Sequence, residues 1–200
     1  MKAFLRELIT TILMAGVIFL IMQSAISFPP SEVISSSMEP TLQIGQRLII
    51  SKVTYLLHKP ERGDIITFRQ PNHPKQVLIK RLIGLPGESV EIKEGKVYIH
   101  KEDGSVLPLD ETYYVKSPSR SNYQGEKIPE NEYFVMGDNR NNSSDSRTGW
   151  TVPRKNIIGK AWITWISVFP PKGWGLAPNY SFPKELNSTE LLPQSLLAQL

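Results

Sequence analysis

Ser89-Val90-Glu91-Ile92 and Lys96-Val97-Tyr98-Ile99, separated only by Lys93-Glu94-Gly95, are the runs whose reading decides the fold. Each alternates polar and apolar residues with the period of a half-buried strand. Glu94-Gly95 between them suits the left-handed backbone of a tight hairpin. The signature recurs outward: Val77-Leu78-Ile79, Tyr133-Phe134-Val135-Met136 and Ala161-Trp162-Ile163-Thr164-Trp165-Ile166 are short and rich in β-branched or aromatic residues, and Asp103-Gly104 marks a further turn. No helix-period segment of useful length lies between Pro29 and Pro171. Residues 29–172 are therefore expected to form one mostly β domain of coiled antiparallel sheet. Residues 173–200, interrupted by Pro178, Pro183 and Pro193, read as an irregular tail with at most a short helix near Leu191.

The N-terminal segment, residues 1–28, follows a different rule. From Leu8 to Ser31 no residue is charged, and Ile9 to Ile26 is dominated by Ile, Leu, Met, Val, Phe and Ala. About 20 apolar residues cross a bilayer as a helix. Lys2 and Arg6 precede the run and Glu32 is the first charge after it, so the N-terminus is expected in the cytoplasm and the β domain on the exported side. A cleavable leader ending at Ala25-Ile26-Ser27 is the competing reading. The run is longer than a usual leader core, and Phe28-Pro29-Pro30 is an awkward start to a mature chain, so a retained single anchor is preferred.

Composition narrows the chemistry. A net charge of +4 over 200 residues, with no basic run interleaved with aromatics, argues against nucleic acid as a partner. With no cysteine there is no disulfide, thiol nucleophile or thiolate metal site. The three histidines, His58, His73 and His100, lack metal-ligand spacing, and no cofactor or metal is expected.

A serine hydroxyl needs a neighbouring base before it attacks, and no histidine sits in a suggestive context. A lysine can serve if burial keeps its amine neutral near working pH. Lys80 lies in the apolar strand Val77-Leu78-Ile79-Lys80-Arg81-Leu82-Ile83. Side chains alternate along a strand, so Lys80 and Arg81 are expected on opposite faces, one buried and the other solvated. The same alternation, applied to an extended Ser35-Ser36-Ser37, puts Ser35 and Ser37 together, one to attack and one to donate a hydrogen bond to a developing oxyanion. The polar block Gly137 to Arg147 is either a surface loop or a buried network bracing a site.

Four segments carry a resemblance. Ser37-Met38-Glu39-Pro40-Thr41-Leu42, Arg62-Gly63-Asp64-Ile65-Ile66-Thr67-Phe68, Lys80-Arg81-Leu82-Ile83-Gly84-Leu85-Pro86-Gly87 and Gly137-Asp138-Asn139-Arg140-Asn141-Asn142-Ser143-Ser144-Asp145-Ser146-Arg147 resemble, in order, the four boxes of bacterial type I signal peptidases. The resemblance covers roughly Phe28 to Val168. It implies Ser37 as nucleophile and Lys80 as general base, with Ser35 and the Ser37 backbone N–H as oxyanion donors. It further implies that Ser143 hydrogen-bonds the lysine amine, that Asp145 and Arg147 form a supporting ion pair, and that Met38 stands in the substrate wall. From position alone, Ile79 and Ile83 are expected to join that wall. Ile34 and Ser36 depart from residues frequent in the family. The short span from Glu88 to Met136 implies that the large second β domain of some members is absent or reduced.

Together these imply a membrane-anchored serine endopeptidase that removes signal peptides from exported preproteins after small-x-small sites through an acyl-enzyme. Its partners are then preproteins and the lipid bilayer. The membrane is a bacterial plasma membrane or an internal photosynthetic one, and oligomeric state is left open. Six residues from Ser31 to Ser37 put the nucleophile within roughly 20 Å of the bilayer at full extension. Trp162, Trp165, Phe169 and Trp174 are candidates for an interfacial aromatic patch, with core packing the equal alternative for the first three. The rivals are a specialised relative with one dedicated substrate, a self-cleaving Ser-Lys regulator, and a silent β domain displayed on an anchor.

Overall fold

In the computed structural model, which describes residues 2–26, 30–166 and 175–176, an apolar helix precedes a domain of two antiparallel sheets. Helix α1 covers Lys2–Ala25. Its window Ala3–Leu20 has mean hydropathy 1.9, and none of that window is buried against the rest of the chain. The elements that follow are β1 (Ser31–Glu32), β2 (Gln46–Ser51), the one-turn helix α2 (Thr54–Leu57), β3 (Ile65–Gln70) and the long β4 (His73–Gly84). Next come β5 (Ser89–Lys93), β6 (Lys96–His100), β7 (Val106–Pro108), β8 (Tyr123–Gln124) and β9 (Glu132–Met136). The last are β10 (Val152–Pro153), β11 (Ile157–Ile166) and β12 (Gly175–Leu176).

The larger sheet runs β1-β2-β11-β3-β4-β9-β10, with β12 added to β11. Bulges in β11, β3 and β4 interrupt its registers, and such extra residues sharpen local twist and curl a sheet. The smaller sheet, β7-β6-β5-β8, fills the span that was expected to hold a reduced insertion. Its central hairpin pairs Lys93 with Lys96 across Glu94-Gly95, whose φ angles of 51° and 77° are the left-handed values the turn requires. Val90, Ile92, Val97 and Ile99 point from that hairpin into a core shared with Ile83, Phe134 and Met136 of the larger sheet.

Two further cores flank the larger sheet. Met38, Leu42, Leu48 and Ile65 form one, and Ile66, Phe68, Leu82 and Val135 belong to the other. Neighbours Ile65 and Ile66 thus face opposite cores, as strand alternation requires. The turn after β4 is held by Arg62, which donates to Glu88 Oε1 at 2.6 Å and to the Ile83 carbonyl, while Glu88 Oε2 accepts from the Leu85 N–H at 2.7 Å.

The fold differs from the sequence reading in two places. Thr54–Leu57 forms a helical turn too short to carry a period. Gly175 and Leu176, expected in the irregular tail, pair with Thr164 and Ile163 of β11. The short helix expected near Leu191 lies outside the described residues.

Candidate active site

Strand β4 sits between β3 and β9, but β9 pairs only with Arg81, Leu82 and Gly84. Among the described residues, Val77 to Lys80 are paired on the β3 side alone, which leaves an open strand edge. Facing it across a groove of about 180 Å³ runs Ser31 to Ser35, and Leu48, Thr67, Ile79 and Lys80 complete the lining.

At the groove, Lys80 Nζ lies 2.6 Å from Ser37 Oγ and 3.1 Å from the Ile79 carbonyl oxygen. Lys80 is 3% exposed and Ser37 is 7% exposed. Burial penalises the ammonium and lowers the lysine from its ordinary 10.5 to about 8, against an opposing pull from Asp145 and Asp138. A substantial fraction of the amines is therefore neutral at mildly alkaline pH, and a neutral amine beside a hydroxyl can accept its proton.

Ser37 is not on an extended segment. Ser36–Met38 form a 3₁₀ turn entered from an extended Ser35, so the two serines meet because the chain turns rather than because side chains alternate. Ser35 Oγ is 3.2 Å from Ser37 Oγ. The turn is closed by Glu39 N–H donating to the Ser36 carbonyl and Leu42 N–H to the Met38 carbonyl, and pinned from below by the fully buried Met38 and Leu42. From the far side, Asn139 N–H donates to the Ser37 carbonyl, the Asn139 side chain to the Ser36 carbonyl, and the Asn142 side chain to Ser36 Oγ at 2.9 Å. Sequence reading passed over both asparagines, because contacts more than a hundred residues apart leave no periodic trace.

The block Gly137 to Arg147 is a buried network. Asp145, fully buried, receives two bonds from the Arg147 guanidinium at 2.8 Å each, one from the Arg147 N–H at 3.3 Å and one from the Gly137 N–H at 3.0 Å. Ser143 Oγ is buried and makes no hydrogen bond among the described residues, whereas the resemblance implied one to the lysine amine, whose acceptors here are Ser37 and Ile79. Gly137 has no side chain for a structural reason. A Cβ there would fall inside 3.0 Å of Ser143 Oγ and of the Ser37 carbonyl oxygen.

Arg81 corrects the expectation that one of the adjacent cations is solvated. It is fully buried: it gives two hydrogen bonds to Asp138 at 2.8 and 2.7 Å and one to the Gly63 carbonyl, and its guanidinium stacks 4.1 Å from the Tyr114 ring. The sheet is covered on both faces at this point, so neither cation reaches water, and only Arg81 has a carboxylate within hydrogen-bond distance among the described residues. Asp138 also accepts from Thr41 Oγ1, which ties the segment after Ser37 to the same pair. Arg140, paired with Glu111, extends the network, and Glu111 accepts from the Tyr114 hydroxyl.

The proposed substrate wall divides. Ile79 lines the groove. Met38 packs under it in the core with no exposed surface, and Ile83 belongs to the core between the two sheets. Position in the sequence could not separate them, because an apolar residue beside a site and one beneath it read alike. Trp162 is 48% exposed at the β11 bulge. Phe169 and Trp174 lie outside the described residues.

The site thus sets a desolvated amine against a serine hydroxyl, beside an open strand edge. The family model described as signal peptidase, peptidase S26, matches residues 5–166, and the chain belongs to that family; it is a serine peptidase. A probable signal peptidase I-1 of Synechocystis is 39% identical over 186 residues, 90% of each chain. A signal peptidase I of Leptolyngbya laminosa is 42% identical over 153 residues, 73% of this chain and 72% of that one. A solved signal peptidase I from Enterococcus faecalis is 35% identical, with TM-score 0.43 over 52% of this chain and 97% of that chain.

Proposed function

We propose that the chain is a membrane-anchored endopeptidase that removes N-terminal signal peptides from exported preproteins, with Ser37 as nucleophile and Lys80 as general base. The observation that carries the catalytic part is the 2.6 Å approach of a buried lysine amine, lowered to about 8, to a serine hydroxyl. In the first step Ser37 Oγ bonds to the scissile carbonyl carbon while its proton passes to the neutral Lys80 amine. Ser35 Oγ and the Ser37 N–H donate to the resulting oxyanion. As the C–N bond breaks, the ammonium returns the proton to the leaving amine, leaving an ester on Ser37. Water, deprotonated by the same amine, attacks that ester; the acyl C–O bond breaks, the ammonium returns its proton to Ser37 Oγ, and the signal peptide leaves with its new carboxylate.

The protonated amine has three N–H donors, and two acceptors already face it. Ser143 Oγ, beside Gly137 and the Ser37 carbonyl and without a partner among the described residues, is assigned as the third once its hydroxyl turns to the amine, stabilising the ammonium formed during each transfer. Asp145 and Arg147 hold the strand end and loop that carry Ser143. The substrate pairs with the free edge at Val77 to Lys80, and its alternate side chains enter the groove near Val33, Leu48 and Ile79. The apolar side chains of Val33, Leu48 and Ile79 line the groove, a surface that suits the small apolar side chains of a small-x-small site.

The anchor reading rests on α1, whose exposed apolar surface needs a nonaqueous surrounding. With Lys2 and Arg6 at its start, the N-terminus is cytoplasmic and the sheets lie on the exported side of a plasma or internal photosynthetic membrane. The test is cleavage of a purified preprotein bearing an Ala-x-Ala site by the detergent-solubilised chain, with the new N-terminus sequenced. Cleavage after the second Ala by the unmodified chain, lost in Ser37→Ala and in Lys80→Met, is expected. Cleavage at larger side chains overturns the specificity, and activity surviving either substitution overturns the dyad.

A further inference from the structure

The one-turn helix α2 holds two adjacent leucines almost wholly in the open. Leu56 is 80% exposed and Leu57 is 73% exposed, while Tyr55 beside them is 6% exposed. Single exposed leucines are ordinary on protein surfaces, but two neighbours at this level on one short turn need a covering. They cannot tuck inward, because Tyr55 fixes the turn. Its hydroxyl donates to Asp64 Oδ2 at 2.8 Å, its ring lies under the Arg154 guanidinium at 5.4 Å, and its carbonyl accepts from Arg154.

The location of the turn says what covers it. The Lys52 N–H donates to the Ala25 carbonyl at 2.9 Å, the Val53 N–H to the same oxygen, and Ile26 forms a bridge with Ser51. Helix α2 therefore begins at the residue that follows the point where α1 is hydrogen-bonded to the sheet domain. Lys59 follows the leucines on an exposed stretch, and Lys52 precedes them half-buried. An apolar tip flanked by cations fits the boundary of an anionic bilayer, where acyl chains take the leucines and headgroup phosphates take the ammonium groups.

We propose that Leu56 and Leu57 insert into the lipid surface next to α1, giving the sheet domain a second membrane contact that fixes its tilt. This rests on the reading of α1 as a membrane anchor. With two attachments, the groove is held at one height above the bilayer. The groove then meets extended chains at one depth.

The chain has no cysteine, so a single introduced thiol is a unique labelling site. Leu56→Cys, Leu13→Cys in α1 and Val106→Cys on the outer strand of the second sheet are labelled with an environment-sensitive fluorophore. The labelled full-length chains are reconstituted in phosphatidylcholine–phosphatidylglycerol vesicles. Quenching is read with doxyl groups on the acyl chains and with aqueous iodide, after each labelled chain is shown to cleave a preprotein within twofold of the unmodified rate. The expected result is strong doxyl quenching at positions 13 and 56 with iodide quenching at least threefold weaker than at 106. Position 13 in lipid with position 56 open to iodide overturns the lipid contact and leaves the anchor standing. Position 13 itself open to iodide overturns the anchor and the contact together. Position 56 shielded from both quenchers assigns the leucines to a protein contact and overturns the proposal.

Discussion

Replacing Lys80 by methionine is expected to abolish activity and yet stabilise the protein at neutral pH, with a gain that disappears at high pH. Lys80 is 3% exposed, and burial lowers it from 10.5 to about 8. At about 1.36 kcal/mol for each pH unit, holding a charged lysine there costs the folded state about 3 kcal/mol. The sign follows from proton counts. Between pH 8 and 10.5 the unfolded chain binds the proton more readily than the folded one, so stability of the unmodified chain rises with pH across that window. Below 8 the penalty is present in full, and above 10.5 it is nearly gone. Methionine has no such titration, and its other effects, including loss of the bond to Ser37, are independent of pH in this range. Urea unfolding of both full-length chains in mild detergent, followed by tryptophan fluorescence from pH 7 to 10.5, reads the difference. The gap should shift by about 3 kcal/mol in favour of the unmodified chain as pH rises. A gap constant to within about 1 kcal/mol, less than one pH unit's worth, would show that Lys80 is not desolvated, and the neutral-amine base would lose its support.

Four further outcomes are expected. The rate of preprotein cleavage should rise with an acid limb near pH 8, because only the deprotonated Lys80 accepts a proton; a limb near 6 would point to a different base. Gly137→Ala crowds Ser143 and the Ser37 carbonyl, and an overpacking cost of about 1–3 kcal/mol felt at Ser37 lowers kcat by roughly 5- to 150-fold, read by single-turnover kinetics. Asn142→Ala removes the bond to Ser36 Oγ; at about 1 kcal/mol for one hydrogen bond it lowers kcat/KM roughly fivefold while the melting temperature barely moves. Asp138→Ala takes the carboxylate from the buried Arg81 and is expected to cost about 3–5 kcal/mol in urea unfolding.

How much of this was legible beforehand depended on range. The β5–β6 hairpin could be read directly, because alternation and a Glu-Gly turn are local properties that nothing distant overrides. Lys80 could be flagged because its apolar neighbours are adjacent in sequence. Arg81 could not, since its burial depends on Asp138 and Tyr114, 57 and 33 residues away in sequence. The Ser35–Ser37 contact was expected on the wrong geometry. Three serines permit an extended run, and the 3₁₀ turn is imposed by buried Met38 and Leu42 together with the asparagines of the second loop. Met38 and Ile83 were placed in the substrate wall because sequence marks apolarity but not which side of a sheet wall it serves. Helix α2 escaped notice for a simpler reason: four residues complete little more than one turn and show no period.

The most direct test of the Ser37–Lys80 pair is to trap the ester. The full-length chain is mixed with a preprotein peptide at pH 9, quenched in acid within one turnover, digested, and mapped by mass spectrometry. The expected result is an acyl adduct on the peptide carrying Ser37, absent in Ser37→Ala and in Lys80→Met. An adduct on another residue, or one that forms at an unchanged rate without Lys80, contradicts the pairing of that serine with that lysine.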